Sequence, residues 1–231
     1  MRAIRTARAL VAVAVLGLTA TACGDRTAAG ERARRDPYAS IADLPETLAP
    51  DGTTIIVGDP RRKPVRLYED PRSPGSREAE ATGAGAALLD MTLGKEIRTE
   101  YTLVSATDGG AGGAGSQKAA NALRAALEQE RFAEYRAVLL RNQPAASTDG
   151  FTDAFLLELA SQVDGLRGPA FDSAVREMRY ADFVAASQRA YEDAGAPALP
   201  AAAVDGVLLS PAQSELLLTP DIFRLVVSGR L

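Results

Sequence analysis

Tyr68-Glu69-Asp70-Pro71-Arg72-Ser73-Pro74-Gly75-Ser76-Arg77-Glu78 joins two stretches of different character. Val65 to Tyr68, apolar and partly β-branched, runs into it as a strand. Ala79 to Leu93 leaves it as a helix, with Ala84, Leu88, Leu89 and Met91 among its apolar positions. Ser73-Pro74-Gly75-Ser76 then lies at a sharp strand-to-helix junction. Ser73 reads as the N-cap, and Pro74 as the first helical residue, where no N–H is needed. Glu78 and Glu80 suit the positive end of the helix dipole.

This segment resembles the active-site turn of the DsbA-like branch of the thioredoxin superfamily. There the strand ends in a similar aromatic-acidic run and the turn reads Cys-Pro-x-Cys. Here serines stand at both cysteine positions, Ser73 and Ser76. A dithiol works at such a junction because the helix N-terminus stabilises a thiolate, which attacks a disulfide while the second thiol resolves the product. A serine hydroxyl is not appreciably ionised near neutrality and forms no sulfur–sulfur bond. The redox chemistry of the family is therefore not expected. Ser73 as an activated nucleophile would need a base close by. The chain has no histidine, and no Ser-x-x-Lys occurs in it.

The N-terminus reads as an export signal over residues 1–22. Arg2, Arg5 and Arg8 form a positive n-region, and Ala9 to Leu18 is an apolar run too short for a transmembrane helix. Ala20-Thr21-Ala22-Cys23-Gly24 resembles a bacterial lipobox, with Ala20 where Leu is usual. The resemblance implies lipidation of Cys23, the chain's one cysteine; the alternative is an ordinary cleavage site with an incidental cysteine. Residues 23–50, polar and carrying Arg-Ala-Arg-Arg at 32–35, read as a lipidated N-terminus and tether. The formal charge is −4, and loss of the three n-region arginines makes the chain more acidic still. An acidic domain is a poor fit for nucleic acid. No cofactor or metal is expected, and the abundance of Arg over Lys, with Ala and Gly, fits coding from a GC-rich genome.

The expected domain spans 51–231. Thr53 to Val57 is a short strand. Ile97 to Val104 alternates as a strand covered on one side should. Gly110-Ala111-Gly112-Gly113-Ala114-Gly115 fits Gly-x-Gly-x-x-Gly between a strand and a helix. A dinucleotide site also needs a second strand ending in an acid about twenty residues on. The chain is instead helical in pattern from Gln117 to Leu140, so the glycine run reads as a flexible connector. Helical patterns continue at Thr152 to Val163, from Gly168 onward, and at Ala181 to Ala194. This ordering, opened by Ser116-Gln117-Lys118-Ala119, resembles the helical domain that DsbA-like proteins insert, here about 117–194. Gly195 to Pro200 leads into a strand (Ala201 to Val204), an Asp205-Gly206 turn and Val207 to Leu209, and a helix from Asp221 to Ser228 closes the chain.

The resemblance implies an α/β thioredoxin fold with an inserted helical domain. It also implies a cis Pro200 facing the turn, where its backbone pairs with an extended substrate peptide; the alternative is that Pro200 only starts a strand. Leu199 and Ala201 depart from the residues common beside that proline, which makes the groove more apolar. The expectation is a lipid-anchored protein at the outer face of the cell membrane, not an enzyme, with a groove formed by Ser73, Ser76, Leu199 and Pro200 that binds an unidentified protein or peptide. Two alternatives are an enzyme of another type using Ser73, Glu69 and Asp70, and a helper that works with a partner's cysteines.

Overall fold

The computed structural model describes residues 36–145, 147–196 and 198–229; the expected export signal over 1–22, Cys23 and the basic run at 32–35 lie outside them. Six strands form one sheet: β1 (Glu46–Leu48), β2 (Thr54–Val57), β3 (Lys63–Glu69), β4 (Ile97–Leu103), β5 (Ala201–Val204) and β6 (Val207–Leu208). Their order is β1-β2-β4-β3-β5-β6. β3 and β4 are parallel, from Lys63↔Ile97 to Glu69↔Leu103. Helices α1 (Pro74–Thr82) and α2 (Ala84–Leu93) make the crossover between them. β5 returns antiparallel on β3 with Tyr68 opposite Ala201. Asp205 and Gly206, at φ of 53° and 80°, turn the chain into β6, as a two-residue hairpin loop requires.

Between β4 and β5 come six helices: α3 (Ala106–Ala111), α4 (Gly115–Leu127), α5 (Phe132–Arg141), α6 (Asp153–Ala160), α7 (Pro169–Arg176) and α8 (Ala181–Ala194). α9 (Pro211–Ser214) and α10 (Pro220–Val227) close the chain. This is the thioredoxin fold with an inserted helical domain, in the DsbA-like arrangement. One core runs through both parts. Tyr101 of β4 meets Phe132 of α5 at 5.2 Å between ring centroids, and Tyr135 meets Phe171 edge-on at 5.7 Å. Val65, Leu88, Leu103, Leu123, Leu139 and Phe223 belong to the same buried cluster. Among the described residues no helix is long and apolar enough to cross a membrane.

Four expectations are corrected. The fold starts near Asp36, not at Asp51. Tyr38 N–H donates to the Leu93 carbonyl at 2.8 Å, Leu44 is buried, and β1 pairs with β2. Apolar residues spread thinly among polar ones conceal this segment. The helix expected over 79–93 is two helices, the first starting at Pro74; Gly83, at φ −119° and ψ −137°, breaks them apart. The run from Gln117 to Leu140 is also broken, because Glu130 adopts a left-handed φ of 54° between α4 and α5. β4 is covered on both faces, not one, being flanked by β2 and β3 and packed by α2 and α8. Its polar residues are matched: Glu100 pairs with Arg66 at 2.8 Å and with Arg98 at 2.9 Å.

Glu46 ties the early segment to the insertion. Its carboxylate accepts the N–H groups of Phe132 and Ala133, each at 2.7 Å. It thus satisfies donors that a helix start leaves open. Replacement Glu46→Ala should cost about 1 kcal/mol in urea unfolding, the loss of a helix cap. An unchanged midpoint would detach residues 36–48 from the cooperative unit.

Candidate functional site

β3 carries two acids into the turn, and both are consumed by structure. The Asp70 carboxylate accepts the N–H of Arg72 at 2.9 Å and of Thr107 at 2.8 Å. Its carbonyl accepts the N–H of Ser73 at 2.9 Å. Asp70 thus shapes the turn and fastens it to the start of α3. Glu69 is gripped by Arg136 of α5 through one guanidinium edge, Nε to Oε1 at 2.9 Å and Nη2 to Oε2. Nη1 of the same arginine reaches Glu80 of α1 at 2.8 Å, and the guanidinium lies 4.7 Å from the Tyr101 ring centroid. Burial pushes the Glu69 carboxyl upward and Arg136 opposes that push. Burial also works against the Arg136 charge, but Glu69 and Glu80 outweigh it and hold the guanidinium well above its ordinary range.

Arg72, only 2% exposed, points the other way. Its Nη1 donates to Asp108 at 2.9 Å and to the Gly112 carbonyl at 2.6 Å. Asp108 in turn accepts the N–H groups of Ser116 at 2.9 Å and Gln117 at 3.0 Å. The start of α4, where a phosphate would bind in a dinucleotide fold, is therefore occupied by the chain's own carboxylate. Gly113 and Gly115 are a packing requirement, whereas a Cβ on Gly110 or Gly112 would meet open space. A Cβ on Gly113, at φ 90°, would lie 2.3 Å from the Asp149 carboxylate, and one on Gly115 would lie 2.5 Å from it. The run expected as a flexible connector is a bonded bracket around Arg72.

Gln143, just past α5, donates from Nε2 to the carbonyls of Pro71 at 2.7 Å and Ser73 at 2.8 Å. The turn is held from three sides. Ser73 occupies the N-cap position with Pro74 after it, but its side chain makes no capping bond. The cap is made by backbone, the Ser73 carbonyl accepting from Ser76 N–H at 3.1 Å. No acid lies in the first turn of α1; of the two glutamates expected to serve the dipole, Glu80 is committed to Arg136 instead.

The proline loop lies directly against the turn. Leu199–Pro200 is a cis peptide. A Cβ on Gly75 would stand 2.9 Å from Pro200 Cδ and 3.0 Å from the Leu199 carbonyl oxygen. Glycine is needed here for close approach. Leu199 N–H and C=O have no hydrogen-bond partner among the described residues. Beside them lies a small apolar cluster of Tyr68, Val104, Leu199, Leu208 and Tyr191, with Tyr68 and Tyr191 at 6.0 Å between centroids.

Ser73, Pro74, Gly75, Ser76, Leu199 and Pro200 are thus gathered in one place, with one correction. Ser76 is 1% exposed, and its hydroxyl is buried without a partner among the described residues. It lies under the groove and does not line it; Pro74 is the exposed residue of the turn. The two acids of the enzyme alternative are committed elsewhere. Glu69 and Asp70 are buried and bonded elsewhere. Among the described residues no carboxylate accepts the Ser73 hydroxyl. Sequence reasoning missed Arg72, Asp108, Arg136 and Gln143, which are joined to the rest of the site by side-chain bonds spanning 36 to 72 residues. No local pattern marks such pairs.

No protein-family model matches the chain, and no curated protein matches it. Solved structures do. The reduced form of the disulfide bond oxidoreductase DsbG from Mycobacterium tuberculosis is 20% identical, with a TM-score of 0.61 over 83% of this chain and 88% of that one. Oxidised BdbD from Bacillus subtilis is 14% identical, with a TM-score of 0.65, covering 79% of this chain and 94% of that one. MdbA, a thiol-disulfide oxidoreductase from Corynebacterium diphtheriae, is 18% identical, with a TM-score of 0.61 over 78% and 94%. At these identities the likeness is one of fold. This chain has the DsbA-like thioredoxin fold, with Cys23 its one cysteine.

Two substitutions test this picture of the turn. Arg136→Met should destabilise the protein by about 3–5 kcal/mol in chemical denaturation, because it strands a buried carboxylate. Ser76→Ala should be stabilising or neutral within about 1 kcal/mol, because it deletes an unsatisfied hydroxyl. A mild Arg136→Met, or a costly Ser76→Ala, would contradict the assignment.

Proposed function

We propose that this chain is an exported, lipid-anchored protein with a DsbA-like fold that has no thiol–disulfide activity of its own. It binds an extended protein or peptide segment in the groove between the Ser73–Ser76 turn and Leu199–Pro200. The observation that carries this reading is the free backbone of Leu199 facing the turn. An unpaired N–H and C=O just ahead of a strand, here β5, are groups to which an incoming extended peptide can bond. The rest of the turn is braced by buried ion pairs, which supports a preformed surface. Binding to such a surface loses less in ordering.

The redox part of the proposal rests on chemistry. Neither turn position has a sulfur, and the one cysteine is at position 23. Anchoring rests on the Cys23 lipobox resemblance, which implies a groove outside the cytoplasm. The net negative charge favours a protein ligand over nucleic acid.

The test uses intact cells carrying the full chain with a photo-crosslinking residue at exposed Pro74, and a control at exposed Glu158 of α6. The proposal predicts a discrete protein adduct from position 74 and none from position 158. Absence of an adduct at both sites, or identical adducts at both, would contradict it.

A further inference from the structure

One face of α8 borders a cavity of about 300 Å³, whose walls include Met178, Val184, Ala185, Gln117, Arg189 and Glu192. That volume is at the lower end of the range for ligand pockets. Its lining mixes apolar residues with polar and charged ones. Gln188 seals one wall, accepting the Ser105 N–H at 2.9 Å. Ser105 comes directly after Val104, which packs with Tyr68, Tyr191 and Leu199 beside the groove. Tyr191 of α8 packs in that same cluster, so the helix that borders the cavity also borders the apolar cluster beside the groove.

Arg189 is what distinguishes this rim. Of the eight arginines between 117 and 194, Arg124, Arg131, Arg136, Arg167, Arg176 and Arg179 are ion-paired. The other two, Arg141 and Arg189, have no ion-pair partner among the described residues, although the chain is acidic, and of these Arg189 lines the cavity. Glu192, the acid among the lining residues, is engaged by Gln188 Nε2 at 2.9 Å. Met178 adds an unbranched, adaptable wall suited to side chains of varied shape.

We infer that this cavity is a specificity pocket for the segment bound in the groove, taking one large apolar side chain with an acidic residue nearby in the ligand that pairs with Arg189. The inference rests on the groove reading and names the class of segment the groove selects. Apolar burial supplies most of the affinity, and the exposed guanidinium supplies a smaller, salt-sensitive preference.

The probes are four fluorescein-labelled decapeptides on one Thr/Val host, with Phe or Ala at one position and Asp or Lys three residues on. Fluorescence anisotropy against the folded domain should rank the Phe/Asp peptide tightest, with Phe favoured over Ala by about tenfold. Ala185→Trp, an exposed helix position, should fill the cavity and remove the Phe preference while leaving residual binding of the Ala peptides. Arg189→Glu should weaken the Phe/Asp peptide by about threefold and strengthen Phe/Lys. Binding with no Phe preference, or a preference unmoved by Ala185→Trp, would overturn the pocket and leave the groove standing. No binding of any peptide, with no adduct at position 74, would overturn both.

Discussion

A guanidinium from the inserted helices reaches the end of the central strand and is held there by two carboxylates. Arg136, on α5, joins Glu69 of β3 to Glu80 of α1 and stacks against Tyr101 of β4. Three elements of the thioredoxin core and one of the insertion thereby meet at a single charge. Such a set gains little over an apolar replacement of the same shape, but loses heavily when one partner is removed. It therefore fixes geometry more than it adds stability. Arg72 does the same on the opposite side, binding Asp108 and the Gly112 carbonyl. Between the two arginines the turn has little freedom.

That rigidity separates two properties that travel together in a dithiol enzyme. The chemistry needs sulfur at both turn positions. The shape needs Asp70, Arg72, Gln143, the close approach of Gly75 to Pro200, and the arginine brackets. This chain lacks the first and retains the second. The hydroxyl of Ser76 illustrates the consequence: it is buried where a resolving thiol would be and has no partner among the described residues. The unpaired backbone of Leu199 beside the turn remains.

Much of this was legible in the sequence, and the limits have physical causes. The strand, turn and helix around Val65 to Glu78 are set by local preferences, as is the hairpin at Asp205-Gly206, so short windows reveal them. The pairing of Leu199–Pro200 with Gly75 was legible only through resemblance. Helix breaks at Gly83 and Glu130 were missed because the apolar periodicity continues across them. Residues 36–48 read as tether because their few apolar side chains pack against α2 and the core, not against each other. The glycine run misled for a further reason. It satisfies a nucleotide-binding spacing, but its small residues make room for Asp149 and Arg72. Ion pairs such as Glu69 with Arg136 join residues 67 apart in sequence, and nothing local announces them.

The fold presents a DsbA-like turn with serines at both positions where dithiol chemistry needs sulfur. The most direct measurement is insulin reduction by dithiothreitol, comparing the parent with the double variant Ser73→Cys, Ser76→Cys. The parent should show no catalysis, and the variant clear catalysis with a reversible intramolecular disulfide. Catalysis by the parent, or a folded variant that forms no disulfide and remains inert, would contradict the claim.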